Sequence, residues 1–373
     1  MRRRTQAAVA ATTLLSAGAA AALAVAVTNR RSRGGPTAFP TARLTVHGTA
    51  AGRVTLTRTA ESVLPGTYAL VGKDCRAVVG PVVDHAPDGT PDTVVRRLER
   101  VTRGDLAPGA TVTLSPQLYA GDPGSALGID FSEVDVTGDR GTLPSWFVPG
   151  LRDTWVILLH GLGATREQAL NVLPFLHHQE LSVLVPGSPE GHGDRGNAKD
   201  GTEPTGLGSA EWTDAEAALR YAVRCGAGSV VLYGSSTGAT MALHTAVRSP
   251  LRGRISGLVL DSPVLDPATT VRALAQHRGV PGALWPLALR TTEDVEQPPP
   301  DLDEKGRGSA LPVLVIHGPG DTIAPWEASR ALVERHPQTA TLHPVPDAGH
   351  AAMWNADPTA YEEVLRRFLT PLM

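Results

Sequence analysis

A serine, an aspartate and a histidine each stand where an apolar run gives way to glycine- or proline-rich sequence. They are Ser236 in VVLYGSSTGAT, Asp321 in LPVLVIHGPGD and His350 in ATLHPVPDAGH. An unassisted serine hydroxyl is a poor nucleophile near neutral pH. A histidine that takes its proton, together with a carboxylate that fixes the imidazole tautomer and stabilises the imidazolium, removes that barrier. The expected chemistry is acyl transfer through an acyl-enzyme on Ser236, with His350 as general base and Asp321 as orienting acid. Of the two adjacent serines, only Ser236 has a glycine two residues away on each side, Gly234 and Gly238. That places Ser236 at the centre of a sharp turn, with Ser235 a small packed neighbour. His192, in GHGDRG, is a rival base, and Asp261, after GLVL, is a rival acid.

Charge develops on the substrate oxygen as the serine attacks, so backbone N–H donors must face it. TWVILL runs into His160-Gly161-Leu162-Gly163. The amides of Leu162 and Thr237 are the expected donors, and His160, Gly161 and Ser235 the expected pocket lining. A further wall is expected from residues 262–310, where VPGALWPLALR supplies Leu284, Trp285 and Leu287 before the breaker Pro298-Pro299-Pro300. This stretch reads as a short helical cap.

These groups need a frame. Buried runs TWVILL, LSVLVP, SVVLY, GLVL, LPVLVIH and ATLHPV alternate with helical patterns near 166–178, 210–224, 237–248, 326–336 and 358–369. Continuous apolar strands followed by helices imply a mostly parallel, doubly wound sheet covered on both faces. Ligands in such sheets sit beyond the carboxyl ends of the strands, where the three residues fall. FSEVDV and GDRGTLPSWFV add a hairpin in front.

Residues 36–127 have a different rhythm. Period-two runs such as ARLTVHGT, GRVTLTRT, RAVVGPVV and GATVTLSP, separated by Gly, Pro or Asp, predict a small β-rich module, a barrel or a sandwich. No catalytic constellation is visible in it. Residues 1–35 stand apart: MRRR, an apolar run from Ala7 to Val27 and then NRRSR. A run of about 20 apolar residues suits a membrane-spanning anchor, with a catalytic domain outside the cytoplasm. The small residues Ala24-Val25-Ala26 leave signal cleavage and secretion as the alternative.

The chain of 373 residues is 42% hydrophobic and 19% charged, ordinary for a folded protein. A net charge of −3 and 4% aromatic residues exclude the basic footprint and stacking aromatics of a nucleic-acid binder. Cys75 and Cys225 cannot form a metal-site pattern, and pairing between them would depend on a proximity that sequence does not reveal.

LLHGLGATREQAL, YGSSTGAT, LVLDSPVLD, LVIHGPGDTIAP and GHAAMWNADPTAYEEVLRRFL together resemble bacterial α/β-hydrolases of the serine-aminopeptidase and prolyl-oligopeptidase-like type. The likeness is strongest to membrane-anchored actinobacterial members with a small β-rich N-terminal region. It spans residues 128–371 and implies an α/β-hydrolase fold, a triad at Ser236, Asp321 and His350, no cofactor, and a small-molecule or peptide acyl substrate. The Arg166 position matches a family arginine, for which the resemblance implies a structural role at the floor of the site. Ser235, Thr237 and the Gly-rich segment 187–201 depart from the family pattern. The alternatives to hydrolysis are acyl transfer to an alcohol or amine by the same triad, and a catalytically silent, membrane-tethered binding module.

Overall fold

The computed structural model describes residues 42–83, 90–189, 207–277, 279, 281–285, 300, 302 and 311–373. The period-two runs of the N-terminal region form β1 (Arg43–Ala50), β2 (Arg53–Thr57), β3 (Tyr68–Gly72), β4 (Arg76–Val82), β5 (Thr93–Arg103) and β6 (Thr111–Ser115). They close into a barrel in the order β1-β2-β5-β4-β3-β6. Of the two expected architectures, closure wins because β1 pairs with both β2 and β6 and leaves no free edge. Alternate residues, among them Leu44, Val46, Val54, Leu56, Leu70 and Val94, turn inward and form its core. Arg96 follows Val94 on that inward face and is fully buried.

A helix α1 (Pro123–Leu127) then leads into β7 (Ser132–Gly138) and β8 (Gly141–Val148), whose register closes at Gly138 opposite Gly141. The remaining strands are β9 (Thr154–Leu159), β10 (Ser182–Pro186), β11 (Ser229–Ser235), β12 (Ile255–Asp261), β13 (Val313–His317) and β14 (Ala340–Pro344). The sheet order is β14-β13-β12-β11-β9-β10-β8-β7, parallel from β14 to β10 and antiparallel at the hairpin.

The helices are α2 (Leu173–His178), α3 (Trp212–Arg224), α4 (Thr237–Arg248), α5 (Pro267–His277), α6 (Trp326–Arg335), α7 (Met353–Ala356) and α8 (Pro358–Leu369). The alternation of side chains along the strands divides the core in two. Ile157, Leu232, Leu258 and Val315 face α3 and α4. Val156, Val231, Val259 and Ile316 face α2 and α8. Burial on both faces explains why these strands read as unbroken apolar runs.

The chain passes from β9 outward to β10 and then returns to β11 on the other side of β9. A crevice opens where the direction of winding reverses, at the carboxyl ends of the strands. Ser236 follows β11 at that point. Among the described residues, no helix is long and apolar enough to cross a membrane; the expected anchor, residues 1–35, lies outside them. Cys75 is buried, Cys225 is exposed, and both are free thiols.

Candidate active site

Ser236 sits between the last residue of β11 and the first of α4 with φ 56° and ψ −118°, a conformation that costs a non-glycine residue about 1–3 kcal/mol. The turn is sharp enough that its flanking glycines are obligatory. A Cβ at Gly234 would lie 2.2 Å from Gly238 O, and one at Gly238 would lie 2.2 Å from Leu159 O. The backbone holds the turn by a Ser236 N–H bond to Asp261 O at 2.8 Å. Ser236 is 1% exposed, and its Oγ is 2.8 Å from His350 Nε2.

His350 Nδ1 lies 2.7 Å from Asp321 Oδ2. With the ring proton on Nδ1, His350 donates to the carboxylate and offers Nε2 as acceptor to the serine hydroxyl. The carboxylate is fully engaged. Its Oδ1 accepts from the amides of Ile323 at 2.8 Å and Ala324 at 3.0 Å. Its Oδ2 also accepts from His317 Nε2 at 3.1 Å, while His317 Nδ1 accepts from Ser329 Oγ at 2.7 Å. Burial alone would raise the Asp321 pKa. The charge of His350 and the hydrogen bonds of both imidazoles outweigh burial and hold the carboxyl well below the usual range.

The rival acid is elsewhere engaged. Asp261 is buried at the end of β12 and accepts from Ser262 Oγ and Tyr361 OH, each at 2.7 Å. Tyr361 in turn bonds Tyr233. Burial, only partly offset by these hydroxyls, raises the Asp261 carboxyl above its ordinary value. Its oxygens are taken by these hydroxyls, and Ser262 also lends its Oγ to the amide of Ala351 at 3.1 Å. His192, the rival base, lies outside the described residues.

Both neighbours of Ser236 hold the loop that follows β9. Ser235, expected as a small packed neighbour and pocket residue, accepts from Gln168 Nε2 at 3.1 Å, and Gln168 Oε1 accepts the Gly161 amide at 3.0 Å. Thr237 Oγ1 accepts the Leu162 amide at 2.8 Å. This corrects one expectation: the Leu162 N–H does not stand open towards a substrate oxygen, because a threonine after the serine brings a hydroxyl within its reach. Thr237 N–H is the first amide of α4, one of those with no intrahelical carbonyl. Gly161 packs directly on the serine, where a Cβ would lie 2.9 Å from Ser236 Cβ.

His160 and Ser235 line a pocket together with Gln168, Tyr233, Asp261 and Ala351. Ser236 and Trp285 are not on its wall, so it adjoins the triad from the Ser235 side. Trp285 is half-buried after a short 3-10 turn at Gly282–Leu284; the Leu284 side chain and Leu287 lie outside the described residues. The Arg166 guanidinium lies 4.6 Å from the Trp146 ring centroid and 3.8 Å from Glu133, where it buttresses the hairpin.

Gln168, His317 and Ser262 were not identified as site residues from sequence. His317 was open to detection because it ends a buried strand four residues before Asp321. Gln168 and Ser262 carry no comparable signal.

A family model described as a domain of unknown function (DUF8805) matches residues 45–115, the barrel. The chain is 25% identical over 248 residues to the uncharacterized protein YfhR of Escherichia coli K12, covering 63% of this chain and 76% of that protein. Among solved structures, the Pyrococcus furiosus esterase Pf2001 in one crystal form is similar with a TM-score of 0.53 at 22% identity, over 68% of this chain and 96% of that one. A second crystal form gives a TM-score of 0.54 at 21% identity, over 67% and 94%. At this identity the likeness is one of architecture. The eight-stranded sheet and its helices have the α/β-hydrolase fold.

Proposed function

We propose that the protein is a serine hydrolase that cleaves an ester, thioester or amide through an acyl-enzyme on Ser236. The observation that carries this reading is the continuous chain from Ser236 Oγ through His350 to Asp321, at 2.8 and 2.7 Å. His350 Nε2 takes the serine proton as the hydroxyl attacks the acyl carbon. Asp321 stabilises the imidazolium, which then protonates the departing alcohol, thiol or amine. Water, deprotonated by the same nitrogen, attacks the acyl-enzyme and releases the acid. Thr237 N–H supplies one donor to the oxyanion. Leu162 packs with Leu207, Val264, Val271 and Ala324, an apolar group beside the serine that favours an uncharged acyl chain. The esterase activity in the name of Pf2001 accords with this, and the apolar run Ala7–Val27 supports attachment to a membrane.

A fluorophosphonate probe tests the assignment. Labelling of the wild type and of Ser235→Ala, with none in Ser236→Ala, is the expected pattern. Labelling lost only in Ser235→Ala would overturn the choice of serine, and a wild type that does not label would favour a silent binding module. Esters of graded acyl length then report the pocket.

A further inference from the structure

The segment carrying His350 is strained and has little regular structure of its own. Asp347 and Ala351 have φ of 60° and 53°, a left-handed conformation unfavourable for alanine in particular. Such residues persist only where their surroundings over-determine them. On one side the surroundings are the sheet, through Ser262 Oγ and the Ala351 amide. On the other side they are the barrel.

Ala352, two residues after His350, is buried in the barrel's own apolar core beside Leu44, Leu70 and Leu114. A Cβ at Gly349 would meet Leu64 Cδ1 at 3.4 Å. Thr67 N–H donates to Asn355 O at 2.9 Å, and Asn355 Nδ2 donates to Thr67 O and Pro116 O, each at 2.8 Å. The barrel backbone comes closest at Gly66, φ 89°, where a Cβ would lie 1.9 Å from Asn355 O and 2.7 Å from Ala356 O. The strap that leaves β6 is held as well: Asn171 Nδ2 donates to Pro116 O at 2.8 Å and Leu118 N–H to Asn171 Oδ1 at 3.2 Å.

The barrel loop that makes these contacts is fixed from inside. Arg96 donates to the carbonyls of Ser62 at 3.0 Å, Leu64 at 2.7 Å and Gly66 at 2.7 Å, and to Gly80 O at 2.9 Å. The guanidinium also lies 5.5 Å from the Tyr68 ring centroid, and an interior arginine held by four backbone carbonyls makes that loop rigid, since moving it would strand a buried charge.

We propose that the barrel is the mount of the catalytic histidine: Arg96 stiffens the Ser62–Thr67 loop, and that loop, through Gly66, Thr67 and Asn355, fixes the 349–356 segment so that His350 meets both Ser236 and Asp321. Arg96, Gly66 and Asn355 are positioning residues, and none touches the reacting atoms. The inference rests on the triad reading and assigns a task to the region that matches the domain of unknown function.

The test uses the full chain. Gly66→Ala drives a methyl into the Asn355 carbonyl, and Asn355→Ala removes two hydrogen bonds. Misplacing His350 should lower kcat about 10–100-fold with KM within about two-fold. Fluorophosphonate labelling per folded molecule should slow in parallel, and amide exchange across 349–356 should accelerate. Val54→Ala, which thins the barrel core and leaves both segments unaltered, should lower stability without changing kcat per folded molecule. Normal labelling and exchange in folded Gly66→Ala and Asn355→Ala would overturn the proposal. So would a Val54→Ala enzyme as slow as they are. If Gly66→Ala fails to fold, Asn355→Ala decides. If the wild type does not label, the hydrolase reading fails, while exchange across 349–356 still reports whether the barrel holds the segment.

Discussion

The last residue of β12 and the loop that follows β13 each present a buried aspartate, and the two are opposite in character. Asp261 is held by hydroxyl groups, from Ser262 and Tyr361. Asp321 is held by two imidazoles and two backbone amides. Burial raises the first carboxyl despite its hydroxyl partners. At the second, His350 and His317 prevail over burial and lower it. Both are aspartates buried at the carboxyl side of neighbouring strands; the chemical nature of their partners sets the two carboxyls apart. Tyr233 and Tyr361 have pKa values raised well above 10 by burial, so they remain hydroxyl donors and reinforce the contrast.

The largest way to break the comparison is at turnover. Asp321→Asn should lower kcat by about ten-thousand-fold, because the amide cannot stabilise the imidazolium or impose its tautomer. Asp261→Asn should lower it less than about ten-fold, since an amide can still pair with two hydroxyls and only the Ser262 contact to Ala351 is disturbed. Equal losses in a hydrolysis assay would show that both carboxylates serve the histidine.

The acid stability of the two variants sharpens the same contrast. Asp321 is depressed, so its contribution is present above the ordinary aspartate value of 3.8 and lost as pH falls through its folded value. Asp261 is raised, so its contribution is present below 3.8 and lost as pH rises through its folded value. Urea midpoints at neutral pH should therefore fall for Asp321→Asn and stay level or rise for Asp261→Asn. His244 adds to the slope of the acid limb. Burial, and then Arg248, push His244 down to about 4 from 6.5. The unfolded chain takes up this proton first as pH falls across that window, which removes about 2 kcal/mol of stability after allowance for partial solvation. His244→Gln should flatten the slope between pH 6.5 and 4 and leave the Asp321 contribution clearly visible.

The smallest effect is expected at Thr237. Thr237→Val frees the Leu162 amide without changing shape, so kcat should stay within about three-fold of wild type. A much larger loss would mean that the hydroxyl itself serves the oxyanion.

Much of this was legible in the residues. The six barrel strands follow from alternation, and α4 and α8 match the expected bounds at Thr237–Arg248 and Pro358–Leu369. Ser236, Asp321 and His350 stand out because each follows the carboxyl end of a strand in glycine- or proline-rich sequence. The role of Ser235 was not legible, because its partner Gln168 lies 67 positions away and no local pattern links them. Sequence alone left Asp261 and Asp321 both able to reach a histidine.

The succession of strands and helices along the chain, the turn around Ser236 and the three reactive residue types were determined by the sequence, since each depends on local periodicity or on glycines that no other residue can replace. Tertiary structure decided which aspartate faces His350, that Thr237 holds the Leu162 amide, and that the barrel presses on the histidine segment. These depend on distances across the fold, where a carboxylate or an amide takes whichever partner the packing brings within about 3 Å.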